Sequence, residues 1–433
     1  MATEVDFRSM DAIAAAHVIT RSGVVLSPGW VGFEDGRIRE VAEGSPPAEL
    51  ETHRGGPHSV LMPGLVNAHA HLALGGLRHV ADDLSFVDWI LSGLMPAIEA
   101  GVRRDGFFEA GALASANELL AGGVTTVADS FFRLEGVAAM RKVGLKGVFF
   151  REVFGSAATD DREYLESVGR DLDLLDEGLG GFPYGYSPHS PWTCPPAVFE
   201  EIAKRARREE RRLSFHLAES GAEHAFLTRG HGPIAEVTRE RDQLHRYDIG
   251  ATPTAALNDR DILGPDCIAV HCVQVTEEDI ELLASSGVAV AHCPVSNMKL
   301  AEGIAPVAEM LDAGIEVALG TDSVASAGTL DMFSEMRAFL LTQRAVHRDI
   351  DRMTASRALD MATRGGAFAL GLGEEIGTLE PGKAADCTLI EADRVRHGPW
   401  HDPESVVVWT ATPDDVALVT IDGQVRYRRG DRP

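Results

Sequence analysis

The chain has 433 residues, 45% of them hydrophobic and 24% charged, and its formal net charge is -26. This length suits one large domain with a second module, and the composition is ordinary for a globular enzyme. The acidic charge argues against nucleic acid and anionic membranes as partners, because both are polyanions.

The cysteines and the apolar runs bear on where the protein works. Five cysteines, an odd number without a C-x-x-C pair, indicate reduced thiols rather than a disulfide framework. No apolar run approaches the roughly 20 residues that span a bilayer. Residues 1–6 lack the pattern of a signal peptide. We therefore expect a cytoplasmic protein.

The N-terminal residues 1–62 contain short apolar runs that Gly and Pro interrupt. The dipeptide Asp35-Gly36 is typical of a tight turn between two strands. This pattern predicts strands and hairpins over most of the segment.

Residues 63–374 alternate apolar, strand-like runs with Ala-rich helical stretches. Eight strands are predicted, one that leads to His69 and seven that begin at Thr125, Gly147, Gly185, Leu213, Ile268, Val288 and Val317. The predicted helices cover residues 108–121, 197–212, 277–286, 332–346 and 354–370. Eight such strand and helix units predict an α/β fold, a TIM-like (β/α)8 barrel, whose active residues lie at the C-terminal ends of the strands.

The C-terminal residues 375–433 show the same pattern as the N-terminal segment. Residues 376–390 are typical of strand, turn and strand, and Asp422-Gly423 marks a second hairpin. Because both ends share this pattern, we expect residues 1–62 and 375–433 to form one small β-sandwich domain, which leaves residues 63–374 for the barrel.

His69 and His71 follow an apolar run that reads as a short buried strand. Two His one residue apart on a strand project to the same face, so both can reach one metal ion. Two imidazoles are too few to hold a catalytic zinc, which predicts further ligands downstream. Four candidates lie at the ends of three further apolar strands, His216 and Glu219 at the first, His271 at the second and Asp322 at the third.

These motifs, in this order, are similar to those of the amidohydrolase superfamily over essentially the whole chain. The combination of H-x-H with His216-Leu-Ala-Glu219 resembles the single-metal branch of deaminases and chlorohydrolases. Residues 187–193 look like those of S-adenosylhomocysteine/methylthioadenosine deaminases. Residues 147–155 and 292–297 are similar to those of aminofutalosine deaminase.

The resemblance implies one Zn²⁺ per subunit, held by His69, His71, His216 and Asp322. Three imidazoles and one carboxylate suit borderline-soft zinc, and Fe²⁺ or Mn²⁺ could occupy the same ligands. Glu219 is the expected proton shuttle between the substrate ring and the leaving amine. Asp322 is expected to accept a proton from the attacking water. His271 is expected to bond the attacking oxygen, or else to be a fifth ligand.

Four residues are predicted from the resemblance to contact substrate: Asp88, Trp89, Arg151 and His189. Asp88 stands where relatives place a longer Glu against the ribose. Trp89 could stack on a purine, although a buried helical Trp is more often part of the core. Arg151 could pair with a substrate carboxylate or, equally, with a neighbour such as Glu152 or Glu118. His189 is expected to touch the sugar or its substituent.

The predicted function is zinc-dependent, hydrolytic deamination of a 6-aminopurine nucleoside, which releases ammonia and leaves the 6-oxo product. The candidate substrates are adenosine, S-adenosylhomocysteine, methylthioadenosine and aminofutalosine. The alternative is a hydrolase of another amino- or chloro-substituted heterocycle, such as guanine, a pterin or an s-triazine. A metal-binding protein without catalysis is opposed by the intact Glu219 and Asp322. The expected partner is a small-molecule substrate, in a homo-oligomer such as a dimer or tetramer.

Overall fold

The computed structural model describes residues 10–155 and 160–430. Residues 1–6, to which the expectation about a signal peptide applies, lie outside the described residues. The described residues form eighteen strands in three sheets. In chain order the strands are β1 (Asp11–Ala15), β2 (His17–Arg21), β3 (Val24–Leu26), β4 (Gly29–Glu34), β5 (Arg37–Glu43), β6 (Glu51–Arg54), β7 (Ser59–Pro63), β8 (Leu65–Ala70), β9 (Val124–Phe131), β10 (Lys146–Val153), β11 (Tyr184–Pro188), β12 (Leu213–Leu217), β13 (Cys267–His271), β14 (Ala289–His292), β15 (Val317–Leu319), β16 (Cys387–Glu391), β17 (Val416–Ile421) and β18 (Gln424–Arg428).

The strands β8 to β15 form one parallel sheet in chain order. A parallel bridge between Ala70 and Asp322 joins its first strand to the segment after its last, so the sheet closes. Helices cover the outside of the sheet, and nearly every strand residue is buried, as expected of parallel strands that are covered on both faces. The predicted (β/α)8, TIM-like barrel is confirmed.

Eighteen α-helices are formed by the described residues. They are α1 (Phe86–Asp88), α2 (Met95–Val102), α3 (Phe107–Ala121), α4 (Glu135–Val143), α5 (Asp161–Asp173), α6 (Leu175–Leu179), α7 (Pro196–Arg208), α8 (Gly221–Arg229), α9 (Pro233–Glu240), α10 (Pro253–Asn258), α11 (Glu277–Ser286), α12 (Pro294–Lys299), α13 (Val307–Asp312), α14 (Val324–Ala327), α15 (Met332–His347), α16 (Ala355–Asp360), α17 (Gly366–Ala369) and α18 (Pro403–Trp409). Within the described residues, no helix combines the length and apolar character that crossing a bilayer requires.

The helix boundaries follow local sequence signals. Helix α11 begins with a capping box between Thr276 and Asp279 and ends at Gly287, which adopts a positive φ of 71°. The single helix predicted over 354–370 is instead interrupted by a π-helical turn, Met361–Gly365. The next residue, Gly366, lies against Val66 of β8, where a Cβ would come within 2.8 Å. The absence of a side chain at Gly366 therefore allows α17 to pack closely against the barrel.

The terminal segments build the two remaining sheets. One sheet has the order β5-β4-β1-β6, and the other has the order β18-β17-β16-β7-β2-β3, which mixes strands from both ends of the chain. Ile13 and Val31 of the first sheet share a hydrophobic cluster with Leu61 and Leu389 of the second. The C-terminal segment also contains a helix that we did not predict, α18, which packs on α15 and α16.

Candidate metal centre and active site

The four predicted metal ligands meet at the C-terminal end of the barrel. One possible ligand atom from each of His69, His71, His216 and Asp322 lies within 4.8 Å of the others, and all four residues are buried. Asn67 joins the first strand to the segment after the last one. Its side chain bonds the hydroxyl of Thr321 at 2.7 Å and accepts the Thr321 amide at 3.1 Å. This link brings Asp322 to the two histidines, which come from the other end of the barrel sequence.

The spacing of these side chains fits a metal ion. Asp322 Oδ1 lies 3.3 Å from His71 Nε2 and 3.7 Å from His69 Nε2. Two ligands at about 2.1 Å from a tetrahedral zinc lie about 3.4 Å apart. Both ring nitrogens of His69 are buried and have no hydrogen-bond partner among the described residues. A ring with two unsatisfied nitrogens is costly to bury, and coordination of a cation would satisfy one of them.

Backbone carbonyls orient two of the imidazoles. His71 donates from Nδ1 to the carbonyl of Ser130 at 2.8 Å, and His216 donates from Nδ1 to the carbonyl of His189 at 2.9 Å. A carbonyl oxygen only accepts, so Nδ1 of each ring carries the proton. The Nε2 lone pair of each ring is then free for a metal, which is how metal-binding histidines are usually held.

The electrostatics of the cluster also favour a cation. Burial opposes ionisation of Asp322, but its contact with His71 and the charges of the nearby histidines lower its pKa well below the usual value. Burial likewise disfavours the charged form of His71, yet Glu152 and Asp322 raise its pKa to about 9. The second carboxylate oxygen of Asp322 accepts the hydroxyls of Ser296 at 2.7 Å and Ser326 at 2.6 Å. These carboxylates therefore favour a positive charge between Asp322 Oδ1 and His71 Nε2, which a metal ion would supply in place of a second proton on His71.

Glu219 and His271 lie beside this cluster. Glu219 Oε1 is 3.4 Å from His271 Nε2, and both residues group with Asp322. Burial, followed by the charges of Asp322 and Glu223, raises the pKa of Glu219 well above its usual value. The amide of Glu219 donates to Glu223 at 2.8 Å, which fixes the turn after β12. Glu219 is thus a buried carboxyl group whose surroundings favour its protonated form, which is what a general acid needs.

Asn297 is a site residue that we did not predict. Its side-chain oxygen lies 2.8 Å from His271 Nδ1, and both groups are buried. This bond directs the other nitrogen of His271 toward Glu219. Asn297 lies in α12, directly after β14, and a polar residue in the loop or first helical turn after a barrel strand is the signal that could have identified it.

Replacing Asn297 with Ala is expected to lower kcat by about 10- to 100-fold, because His271 loses the bond that sets its orientation. The content of bound metal should stay unchanged, since Asn297 touches none of the four candidate ligands in the described contacts. Metal analysis and steady-state kinetics on the same preparation test this. A variant with full kcat would show that His271 needs no such support.

His189 lies beside the cluster, and its predicted contact with the sugar or its substituent stays a prediction. Its ring lies 4.4 Å from that of His216 and 4.6 Å from that of Phe154. Burial, followed by the charge of His71, lowers its pKa to about 3, so the ring is neutral. His189 also groups with Glu152 and His216, which makes Glu152 a second residue at the site that sequence reasoning missed.

Arg151 belongs to none of the groups of possible ligands among the described residues, and its contact with substrate stays an untested prediction. The side chains of Arg151 and Phe149 lie on the same face of β10, the face that points away from the barrel interior. Phe149 packs there among buried residues of the surrounding helices. The Arg151 guanidinium bonds the carbonyl of Glu152, and the charges that act on it include Asp171 of α5. Successive strand residues face opposite sides, so it is Glu152 that faces the interior of the barrel.

In the described contacts, neither Asp88 nor Trp89 touches a candidate metal ligand. Asp88 is exposed, and its carboxylate accepts the hydroxyl of Ser85 at 2.7 Å. Trp89 is 5% exposed, belongs to the hydrophobic core and donates its indole N–H to the carbonyl of Val80 at 3.1 Å. This burial favours the alternative that Trp89 belongs to the core, and its stacking on a purine stays an untested prediction.

Replacing Trp89 with Leu is expected to lower the free energy of unfolding by about 2–4 kcal/mol, because the smaller side chain leaves a cavity and loses the bond to Val80. KM for the substrate should not change. Chemical denaturation and steady-state kinetics measure the two quantities. A rise in KM of about tenfold or more would instead reveal stacking on the base.

Comparisons with known proteins agree with this geometry. The model of the amidohydrolase family matches residues 60–426. The chain is 36% identical to a 5-methylthioadenosine/S-adenosylhomocysteine deaminase of Moorella thermoacetica, over 96% of this chain and 93% of the relative. It is 34% identical to a 5'-deoxyadenosine deaminase of Methanothermobacter thermautotrophicus, over 93% of this chain and 90% of that protein.

Solved structures show the same architecture. An adenosine deaminase from Xanthomonas campestris with bound zinc superposes with a TM-score of 0.82 at 32% identity, covering 96% of this chain and 92% of that one. An atrazine chlorohydrolase from Arthrobacter aurescens, in complex with zinc, superposes with a TM-score of 0.82 at 25% identity, covering 97% of each chain. The family match, the relatives and the arrangement of the strand ends agree: the chain belongs to the amidohydrolase family.

Proposed function

We propose that this protein is a zinc-dependent hydrolytic deaminase of 6-aminopurine nucleosides. The observation that carries the proposal is the buried Glu219, 3.4 Å from His271 and grouped with Asp322, beside a set of three imidazoles and one carboxylate. A buried acid beside a metal-ligand group is the combination that hydrolytic removal of ammonia needs. The deaminase relatives give the proposal its substrate class.

His69, His71, His216 and Asp322 would hold one zinc ion per subunit, and iron or manganese suits the same ligands. When bound, zinc acidifies a coordinated water toward a pKa of about 7 and so supplies the nucleophile at neutral pH. Asp322 would accept the proton that this water loses. Its Oδ2 is already bonded to Ser296 and Ser326, which keeps Oδ1 turned toward the histidines.

Glu219 would move the protons that the substrate needs. It would first protonate the ring nitrogen next to the attacked carbon, which makes that carbon electrophilic. It would then deliver a proton to the exocyclic amine, so that neutral ammonia leaves. His271, whose Nδ1 donates to Asn297, would accept a hydrogen bond at Nε2 from the attacking water and so orient its oxygen.

Among adenine nucleosides, we favour adenosine and its 5'-modified forms over aminofutalosine. Relatives of this chain are named for methylthioadenosine, S-adenosylhomocysteine and 5'-deoxyadenosine. The benzoate of aminofutalosine would need a cation in the site. Arg151, the cation expected to pair with it, lies on the face of β10 that points away from the barrel interior. His189 remains the best placed of the predicted substrate contacts, because its ring packs against His216.

The test is ammonia release from the zinc-loaded protein with adenosine, 5'-deoxyadenosine, methylthioadenosine, S-adenosylhomocysteine and aminofutalosine. The expected result is turnover of one or more of the first four and formation of the 6-oxo product. Absence of ammonia with all five would reject the proposal.

A hydrolase of chloro-substituted s-triazines is a second candidate, which the 25% identity to the atrazine chlorohydrolase supports. The same metal and acid could serve that ring. Chloride release from atrazine, measured beside ammonia release from the nucleosides, separates the two functions.

A further inference from the structure

Asp129 is a buried carboxylate that the mechanism above does not use. It lies on β9 and is 0% exposed. Val127 and Phe131, on the same face of the strand, pack among the surrounding helices, whereas Ala128 packs inside the barrel. Asp129 therefore points away from the barrel interior, and it belongs to none of the groups of possible metal ligands among the described residues. Any effect of Asp129 on the site must act through another residue.

The strand that carries the two histidines is irregular beside Asp129. Between the paired positions Asn67–Val127 and Ala70–Asp129, β8 advances three residues and β9 advances only two. Strand β8 thus has one extra residue in the stretch that contains His69. Such a bulge interrupts the regular ladder of hydrogen bonds between the strands. The backbone around the histidines therefore needs other partners to hold its position.

Asp129 supplies one of these partners. The backbone amide of Leu72, the residue directly after His71, donates to Asp129 Oδ1 at 2.8 Å. The next residue of β9, Ser130, accepts Nδ1 of His71 with its carbonyl at 2.8 Å. Two successive residues of β9 therefore fix His71, one through its ring and the other through the peptide group that follows it.

The second oxygen of the carboxylate fits closely against helix α4. Asp129 Oδ2 is buried, and a Cβ at Gly136 would come within 1.7 Å of it. Gly136 is the second residue of α4, and the first turn of a helix favours a nearby negative charge. Because position 136 has no side chain, the carboxylate can lie between α4 and the amide of Leu72.

We infer that Asp129 is a positioning residue of the metal centre, which holds His71 ready for a metal ion; this inference rests on the zinc site of the proposed function. The bond to Leu72 fixes the backbone where the chain leaves the barrel strand, and the bond to Ser130 fixes the ring. A ligand that is ordered before the metal binds loses less conformational entropy when it binds. Asp129 therefore raises the affinity for the metal without touching it.

The test measures zinc affinity by competition with a chromogenic chelator, in the unmodified protein and in two variants of Asp129. Asp129→Ala removes the acceptor of the Leu72 amide and should weaken zinc binding by about 10- to 100-fold, the usual cost of losing a group that supports a metal ligand. Asp129→Asn removes the charge but keeps an acceptor oxygen, so its affinity should stay within about threefold of that of the unmodified protein.

A change on the neighbouring helix disturbs the same bond without altering Asp129. Gly136→Ala places a methyl group where Oδ2 lies. Ala favours a helix more than Gly does, so the substitution should not weaken α4 by itself. It should still lower the zinc affinity by about tenfold, because the carboxylate must move away from Leu72. The matched control is Glu404→Ala, which removes a buried carboxylate of α18 that accepts the amide of Gly23, and it should keep full zinc affinity.

Cobalt provides a second readout that does not depend on turnover. The visible absorption of bound Co²⁺ depends on its coordination geometry. The cobalt spectra of Asp129→Ala and Gly136→Ala should differ from that of the unmodified protein. The spectra of Asp129→Asn and Glu404→Ala should match it, which a general loss of barrel stability in the Asp129 variants would not produce.

Two outcomes would overturn the inference. One is full zinc affinity in Asp129→Ala or, where that variant does not fold, in Gly136→Ala. The other is a loss in Asp129→Asn as large as that in Asp129→Ala, because the carboxylate would then act through its charge or through the stability of the barrel. Absence of zinc binding by the unmodified protein is different, since it rejects the metal centre of the proposed function itself.

Discussion

Replacing Glu219 with Gln is expected to lower kcat by about 10²- to 10⁴-fold, the usual contribution of a general acid or base. Gln has nearly the same size and can still bond His271, but it cannot carry a proton to the ring nitrogen or to the leaving amine. The zinc content should stay that of the unmodified protein, because Glu219 lies outside the group of four candidate ligands. Single-turnover kinetics and metal analysis measure the two quantities.

Glu223→Gln is the control for this variant. Glu223 is also buried, and its carboxylate accepts the backbone amide of Glu219 at 2.8 Å, a bond that Gln can still accept. Its charge helps to raise the pKa of Glu219, so Glu223→Gln removes that charge and keeps the bond. Its loss in kcat should stay within about tenfold. If kcat of Glu219→Gln equalled that of the unmodified protein, another group would have to be the proton shuttle.

Replacing Asp322 with Asn is expected to weaken zinc binding by more than about 100-fold and to remove measurable turnover. Changes in groups that merely support a ligand already cost about 10- to 100-fold in affinity or activity. The amide would also end the charge interaction that holds Oδ1 at 3.3 Å from His71. Competition with a chromogenic chelator gives the zinc affinity, and circular dichroism checks that the barrel is intact.

Ser296→Ala is the milder variant with which Asp322→Asn is compared, because it removes one support of Asp322 and keeps the carboxylate. Ser296 bonds Oδ2 of Asp322 at 2.7 Å and leaves Oδ1 untouched, while Ser326 still holds Oδ2 at 2.6 Å. We expect a loss of about tenfold in zinc affinity. Full zinc affinity in Asp322→Asn would mean that Asp322 is no ligand and acts only as a proton acceptor.

The fold and the four candidate ligands could be predicted from sequence because their signals are local. Each of the eight barrel strands is a short apolar run, and His69, His71, His216 and Asp322 follow such runs directly. In a barrel of parallel strands, all C-terminal ends meet at one face. The sequence therefore predicts that residues 253 positions apart, such as His69 and Asp322, lie close together in the fold.

The surroundings of the ligands could not be predicted in this way. Arg151 and Glu152 are neighbours in sequence, and their side chains face opposite sides of β10. A shift of one residue in the register of the strand would turn Arg151 inward and Glu152 outward. The periodicity of the sequence alone does not decide which face the last residues of a strand present to the barrel interior. Packing of Phe149 outside the barrel and of Phe150 inside it decides that Glu152 faces the site.

Sequence patterns predict the barrel, the candidate ligands and the candidate acid Glu219, because strand patterns and the residues that end them are encoded over a few positions. Which supporting groups reach the site depends on the tertiary structure. Asn297 bonds His271, Glu152 lies beside His71, and Trp89 is buried in the core. Each of these contacts depends on strand register and on packing between segments that are distant in sequence. Whether a buried polar group finds a hydrogen-bond partner is decided only when those segments come together.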